Sequence, residues 1–211
     1  MYLVALMELA KTYRIQTERL VLRCYQPGDA PALHQAITRS IDHLRPWLPW
    51  VQQEPRDLEA RIGLVRIFRG QFDMGLDYAF GIFDREEQEL IGSTGLHTRI
   101  GKNAREIGYW VGVDHIGKGY ATEAVSALVR TAFDIEGLTR IEIRCAPDNI
   151  RSQHVPEKLG FRMEGVIKRS LHDNIVDTVI WSLEKRNYEH SPIRHTPLKA
   201  FDMVGRPILL P

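Results

Sequence analysis

Residues 115–124 read HIGKGYATEA, which sets Gly117 and Gly119 on either side of Lys118, directly ahead of a strongly helical pattern. These residue types suit an anion. Glycines let main-chain N–H groups come close to a phosphate, a helix start adds roughly half a positive charge from its aligned peptide dipoles, and Lys118 adds a full one. The chemistry on offer is a grip on a diphosphate. A dinucleotide-binding fingerprint would need a third glycine where Thr122 stands, and an adjacent run of parallel βαβ units that the sequence does not show. A plain Gly-Lys-Gly turn is the other reading, and this segment alone leaves turn and binding loop open.

Other function classes are narrowed by composition. Cys24 and Cys145 are the only cysteines, too few for a disulfide framework and without His or Cys neighbours at metal-ligand spacing. A reducing cytoplasm and no metal are therefore expected. Lys and Arg total 28 against 27 for Asp and Glu, a net charge of +1, so no basic surface for nucleic acid is expected. The apolar opening Met1 to Ala10 is interrupted by Glu8, has no basic region before it, and is far shorter than the roughly 20 residues that span a bilayer. It reads as a segment packed on the domain, with no membrane role. The 211 residues are enough for one large domain, and no internal repeat or linker divides them.

The elements that must position the glycine loop follow from periodicity. Arg19 to Arg23 alternates Leu20 and Leu22 with outward positions, the pattern of a half-buried strand. Pro27-Gly28-Asp29 breaks it, and Leu33, Ala36 and Ile37 begin a helix that Asp29 can cap. A second helix is predicted from about Asp57 to Phe68, on Leu58, Ile62 and Val65, with Gly70 ending it. Tyr78 to Phe83, Leu90 to Thr98 and Glu106 to Val113 read as strands of an antiparallel meander. From Tyr120 to Ile135 runs the best helix in the chain, with Ala121, Ala124, Val125, Leu128, Ala132 and Phe133 on its apolar face and Gly137 as its stop. A strand (Ile141 to Cys145), a short helix (Ser152 to Leu159, closed by Gly160) and two strands (Phe161 to Arg169, Val176 to Leu183) complete the pattern. From Tyr188 onward four prolines and the lack of any period predict an irregular tail laid over the surface.

Taken together these segments resemble the GNAT superfamily, in particular its ribosomal-protein N-terminal acetyltransferase branch. The resemblance rests on TERLVLR from Thr17 to Arg23, EIGYWV from Glu106 to Val111, GKGYATEA from Gly117 to Ala124, and Asn149 with Ser152. It continues through KLGF from Lys158 to Phe161, Glu164-Gly165 and Asp177. It implies a mixed α/β (α+β) fold: a central, mostly antiparallel twisted sheet of about seven strands, helices on both faces, and a splay between strands 4 and 5. The domain is then expected over 17–187, between an N-terminal extension at 1–16 and the tail at 188–211. Two departures stand out. Ile116 occupies a position usually held by Arg or Gln, and Pro156 lies inside the helix after Asn149, where it removes a backbone donor and can bend the axis.

The resemblance also implies roles. Acetyl-CoA is the cosubstrate, its pyrophosphate held by main-chain amides from Gly117 to Thr122, with Ile116, Lys118, Tyr120 and Ala121 in the same loop and helix start. The strand Glu106 to Val113 is expected to carry a bulge and to offer main-chain bonds to the pantetheine arm from Val111 and Val113, with Trp110 just ahead of them as a further cofactor-binding residue. Acetyl transfer to an amine needs a neutral nucleophile, a donor facing the developing oxyanion and a proton for the departing thiolate. The Val111 N–H is the implied oxyanion donor, Ser152 the hydroxyl facing the thiolate, and Asn149 a ligand of the arm. Glu106 leads as general base, against a plain solvated strand-edge carboxylate; Ser152 is weighed against a simple helix-start residue. Leu171 stands where some relatives carry a catalytic Glu, which leaves His97, His172 and Asp173 as substitutes; His97 ends a strand facing the acceptor channel. Trp47 and Trp50 either line a groove for a peptide N-terminus or glue the first helices to the sheet. The acceptor is expected to be a protein N-terminus, a ribosomal protein's among them. A polyamine or aminoglycoside acceptor, a non-catalytic CoA-binding role and a homodimer are alternatives the residues leave open.

Overall fold

The computed structural model describes residues 11–171 and 174–211. The segment Met1 to Ala10 and the pair His172 and Asp173 lie outside the described residues, and with them the packing expected of the first and the proton-accepting role expected of the second.

The elements in chain order are β1 (Arg14–Gln16), β2 (Leu20–Cys24), α1 (Ala30–Leu44), α2 (Leu58–Asp73), β3 (Tyr78–Asp84), β4 (Leu90–His97), β5 (Ala104–Val111), α3 (Tyr120–Asp134), β6 (Arg140–Cys145), α4 (Ile150–Lys158), β7 (Arg162–Leu171), β8 (Asn174–Glu184), α5 (Lys185–Tyr188), β9 (Lys199–Phe201) and β10 (Pro207–Ile208). All ten strands join one sheet in the order β10-β9-β1-β2-β3-β4-β5-β6-β8-β7. Every neighbouring pair is antiparallel except β5 with β6, which the α3 crossover makes parallel. The mixed α/β architecture with one mostly antiparallel sheet is thus as the resemblance implied.

Strand alternation divides the core between the two faces of the sheet. On one side Leu20, Leu22, Phe80, Ile82 and Ile107 pack with the α3 residues Ala124, Val125, Leu128 and Phe133. On the other, Val21, Ala79 and Phe83 pack with Leu33 and Ile37 of α1 and Val65 of α2. Burial of a Leu, Val or Phe side chain contributes about 1.5–3 kcal/mol, so α3, with apolar residues buried nearly all round, is the most firmly seated helix. It ends where Gly137 turns left-handed (φ 73°), which lets the Glu136 and Leu138 amides return to the Thr131 and Ala132 carbonyls.

The region after Tyr188 is not irregular. β9 pairs with β1 and β10 with β9, so the sheet runs on through segments that sequence reading left outside the domain. Tyr188 stacks on Phe133 of α3 with ring centroids 4.7 Å apart, and Arg130 donates to the Thr196 carbonyl at 2.8 Å. Strands of two and three residues are too short to leave a period in the sequence, and only pairing with β1 makes them strands.

Candidate active site

The parallel pairing of β5 with β6 stops at Ile107 and Ile143, whereas β5 stays paired with β4 as far as Val111. Beyond Ile107 the two strands part, leaving a wedge on the β6 side of Gly108 to Val111. The β4–β5 register runs unbroken from His97↔Glu106 to Gly92↔Val111, so the bulge expected in this strand is absent from its paired stretch, and the wedge arises from the early end of the β5–β6 ladder. The Gly112 amide donates to the Ile91 carbonyl at 2.8 Å. Antiparallel ladders alternate, so the main-chain groups of Gly108 and Trp110 face β4, and those of Tyr109 and Val111 face the wedge. Val113 does not join them: its amide is taken by the Ser40 hydroxyl of α1 at 3.1 Å, because the chain turns away from the sheet after Gly112.

At the wide end of the wedge lies the glycine loop. Gly117 (φ 75°) and Gly119 (φ 81°) both adopt left-handed backbone, which side-chain-bearing residues rarely enter, and a Cβ on Gly117 would meet nothing within 4 Å. Gly119 is the N-cap of the 15-residue α3 and has no side chain to accept from the first-turn amides. An open hollow with uncapped donors at a helix start fits a diphosphate. Ile116, in extended backbone, brings the chain into this loop. Lys118 folds its ammonium onto the Asp114 carbonyl at 2.9 Å, which keeps the charge beside the loop.

A brace that sequence reading missed holds this loop. Arg19 donates from Nε to Glu123 of α3 at 2.7 Å and from its guanidinium to the Lys118 carbonyl at 2.9 Å, while lying over the Tyr120 ring at 4.8 Å. Glu123 also accepts from the Thr17 hydroxyl at 2.6 Å and the Arg19 amide at 3.0 Å. The TERL and GKGYATE motifs, some hundred residues apart in the chain, are thus one hydrogen-bonded unit.

Across the wedge stands α4. Asn149 is its N-cap, accepting from the Ser152 amide at 3.1 Å, so the capping role weighed for Ser152 belongs to Asn149, and only the Asn149 side-chain amide nitrogen is left for a ligand. The helix passes through Pro156, which has no N–H for the carbonyl four residues back, that of Ser152. Tyr109 fills the vacancy: its hydroxyl donates to the Ser152 carbonyl at 2.8 Å and lies 3.1 Å from the Ser152 hydroxyl. The proline that looked like a defect joins β5 to α4. Burial pushes the Tyr109 phenol well above its ordinary value despite the opposing bond to Ser152, so the phenol keeps its proton. Cys145, at the end of β6, shares this corner; burial raises its thiol and a hydrogen bond with Ser152 opposes the rise.

The opposite face of β5 is built differently. Trp110 packs among the α1 and α2 residues with Trp50 6.4 Å away, whereas Tyr109 and Val111 pack with α3. Period-two alternation therefore puts the Trp110 side chain, and its β4-bonded main chain, away from the wedge, contrary to the cofactor-binding role expected of it. Trp50 serves partly as glue, and Trp47 is left 37% exposed beyond it. Glu106 is not a solvated strand-edge group: it is 4% exposed and accepts from Arg99 through both oxygens, at 3.0 and 2.9 Å. Arg144 and Arg169 approach it at 3.8 and 3.7 Å. His97, its neighbour across the β4–β5 ladder, pairs through Nδ1 with Asp77 at 2.7 Å.

Among the described residues no group of three or more His, Cys, Asp or Glu side chains is placed to hold a metal, and no helix is long and apolar enough to cross a membrane.

Comparison with known proteins agrees with this geometry. The chain is 34% identical over 161 residues, 74% of its own length and 81% of the relative's, to the ribosomal protein uS5-alanine N-acetyltransferase of Escherichia coli strain K12. It is 31% identical over 174 residues to the N-acetyltransferase YoaA of Bacillus subtilis strain 168, covering 81% of this chain and 96% of that one. Of solved structures, the ribosomal L7/L12 α-N-protein acetyltransferase RimL in complex with coenzyme A superposes with a TM-score of 0.70 at 25% identity, over 80% of this chain and 95% of that one. Residues 19–162, from the arginine of the loop brace to the start of β7, match the acetyltransferase (GNAT) domain, and the chain belongs to that family as an acetyl-CoA-dependent N-acetyltransferase.

Proposed function

We propose that this enzyme transfers the acetyl group to the α-amine at the N-terminus of a protein or peptide, a ribosomal protein among the candidates, by direct attack in a ternary complex. One observation carries the reading. The wedge beside Gly108 to Val111 has hydroxyls on its α4 side, Tyr109 and Ser152, while the reverse face of the same strand bears Trp110, Trp50 and the exposed Trp47. Thioester and acceptor can thus approach one short stretch of backbone from opposite faces. The relatives named as acting on ribosomal proteins support the acceptor class.

In this reading the amides of Gly117 to Thr122 hold the pyrophosphate, with Ile116, Lys118, Tyr120 and Ala121 shaping the loop. Acetyl-CoA supplies an activated acyl group. The Val111 N–H, aimed into the wedge by strand alternation, serves the oxyanion. Tyr109 commits its proton to the Ser152 carbonyl, so the Ser152 hydroxyl hydrogen is not fixed by Tyr109 and can turn from Cys145 to the departing sulfur. Glu106 acts as an anchor for Arg99, Arg144 and Arg169 in place of the general base, since both its oxygens are already engaged.

A small polycation would need unpaired acids on the acceptor face. Glu142 and Glu164 there are engaged by Arg140, and Glu106 by three arginines, which favours the peptide reading. Two free cysteines, Cys24 and Cys145, suit a reducing cytoplasm as the place of reaction. The test is release of free CoA from acetyl-CoA across peptides with free N-terminal alanine or serine, polyamines and aminoglycosides, followed by mass mapping of the acetylated nitrogen. Release confined to polyamines or aminoglycosides would displace the peptide reading, and no release with any amine would leave a CoA-binding protein without turnover.

A further inference from the structure

We infer that His97 is the base that takes the proton from the attacking amine, and that Asp77 is the positioning residue that fixes its tautomer. This deepens the acyl-transfer reading and rests on it.

The geometry begins with two glycines. Gly95 and Gly108 face each other in the β4–β5 register, and the His97 ring lies over both. A Cβ on Gly95 would stand 2.9 Å from His97 Cε1 and 3.0 Å from Nε2, and one on Gly108 would stand 3.1 Å from Nε2. Side chains at either position would therefore displace the imidazole. The pair of glycines makes a trough that holds Nε2 over Gly108, the first residue of β5 after its ladder with β6 ends. That is the inner end of the wedge, approached from the face that carries Trp110 and Trp50.

Asp77 decides which nitrogen is free. Its Oδ2 takes Nδ1 of His97 at 2.7 Å, and its Oδ1 accepts from the Thr98 amide at 3.1 Å, so the carboxylate is held at both oxygens. A carboxylate can only accept, so Nδ1 carries the hydrogen and Nε2 the lone pair. Burial would push the Asp77 carboxyl up, but the bond and charge of His97, the Thr98 amide and Arg99 outweigh it and hold the carboxyl below the ordinary range. The other charged groups around the ring neutralise each other: the Arg99 guanidinium, 3.9 Å from a Cβ on Gly108, is bound in two places to Glu106, which Arg144 of β6 and Arg169 of β7 also approach. Of the acidic and basic side chains at this spot, His97 is the one whose free atom is a proton acceptor with no hydrogen-bond donor already on it among the contacts the structure shows.

The amine nitrogen bonds to the acetyl carbonyl carbon as one of its protons passes to His97 Nε2. The carbon–sulfur bond breaks, its electron pair leaves on sulfur, and the sulfur takes a proton from the Ser152 hydroxyl. His97 then loses its proton to solvent and Ser152 regains one, giving an amide and a thiol.

The test uses the full chain, a peptide with a free N-terminal alanine, and pH profiles of kcat and kcat/KM. His97→Gln is expected to lower kcat by about 10²-fold or more, with acetyl-CoA affinity kept and the enzyme's acid limb gone from the kcat profile. Asp77→Asn keeps the imidazole but no longer fixes its hydrogen on Nδ1 with an anion, so kcat should fall roughly tenfold with KM little changed. A structural role for the pair would lower stability without this split between kcat and KM. Turnover of His97→Gln within about twofold of wild type, or an unchanged kcat in Asp77→Asn, would overturn the inference. Should His97→Gln fail to bind acetyl-CoA, Asp77→Asn, which keeps the imidazole, decides it. The two readings fail differently: a wild-type chain that releases no CoA removes acyl transfer and this step with it, whereas an active wild type matched by His97→Gln removes this step alone.

Discussion

Replacing Tyr109 by Phe and Pro156 by Ala, singly and together, tests the joint between β5 and α4. In the native protein the Ser152 carbonyl has no helical donor, since residue 156 is proline, and its partner is the Tyr109 hydroxyl at 2.8 Å. Tyr109→Phe should therefore leave a half-buried acceptor without a partner, a loss of about 1–2 kcal/mol from the range for unsatisfied groups, discounted for partial solvent access. Pro156→Ala restores an N–H four residues beyond Ser152, and gains up to ~3 kcal/mol in helix propensity, less ~0.4–1 kcal/mol for a looser unfolded chain. In that background the carbonyl has its own helical donor. Tyr109→Phe should then cost only the net worth of the remaining bond to the Ser152 hydroxyl, about 0.5–1 kcal/mol. The two substitutions should thus couple by about 1 kcal/mol, measured by urea unfolding of the four proteins with linear extrapolation. Additivity within ~0.3–0.5 kcal/mol would mean that the proline and the tyrosine are independent, and the reasoning would fail.

Three further outcomes are expected. Gly119→Asp sets a side chain and a negative charge in left-handed backbone (φ 81°) where the diphosphate is expected, and should abolish acetyl-CoA binding in a calorimetric titration; unchanged affinity would contradict the loop's role. Ser152→Ala should lower kcat by roughly tenfold while acetyl-CoA affinity changes far less, and equal turnover would remove the hydroxyl from the reaction. Glu87 is held below its ordinary carboxyl range, first by its bond to Arg14, with burial opposing and Arg23 adding to the fall. A carboxyl lowered by folding stabilises the protein above its unfolded pKa of about 4.3 and loses that contribution as pH falls through its folded value, so Glu87→Gln should lower stability near neutrality and flatten the acid side of the stability curve, the two proteins converging at low pH.

Much of this protein was legible in its residues. The glycine loop and α3 could be read directly, because a left-handed turn, an uncapped helix start and a 3.6-residue apolar period are local properties written within about 20 positions. The meander, the parallel crossover and the family followed from the same periods and from motifs whose order along the chain matches their relatives. Other features depended on partners distant in sequence. Trp110 and Tyr109 are adjacent, yet only the register of β5 against β4 decides that one faces the acceptor side and the other the wedge. Glu106 reads as a general base or an exposed carboxylate until the sheet gathers Arg99, Arg144 and Arg169 around it. Pro156 reads as a weakness until Tyr109, on a strand reached through a separate crossover, supplies the donor it lacks. Composition and period determine which segments can form, because they act on neighbouring residues; which side chains meet is decided by strand register, a cooperative property of the whole sheet that no single segment contains.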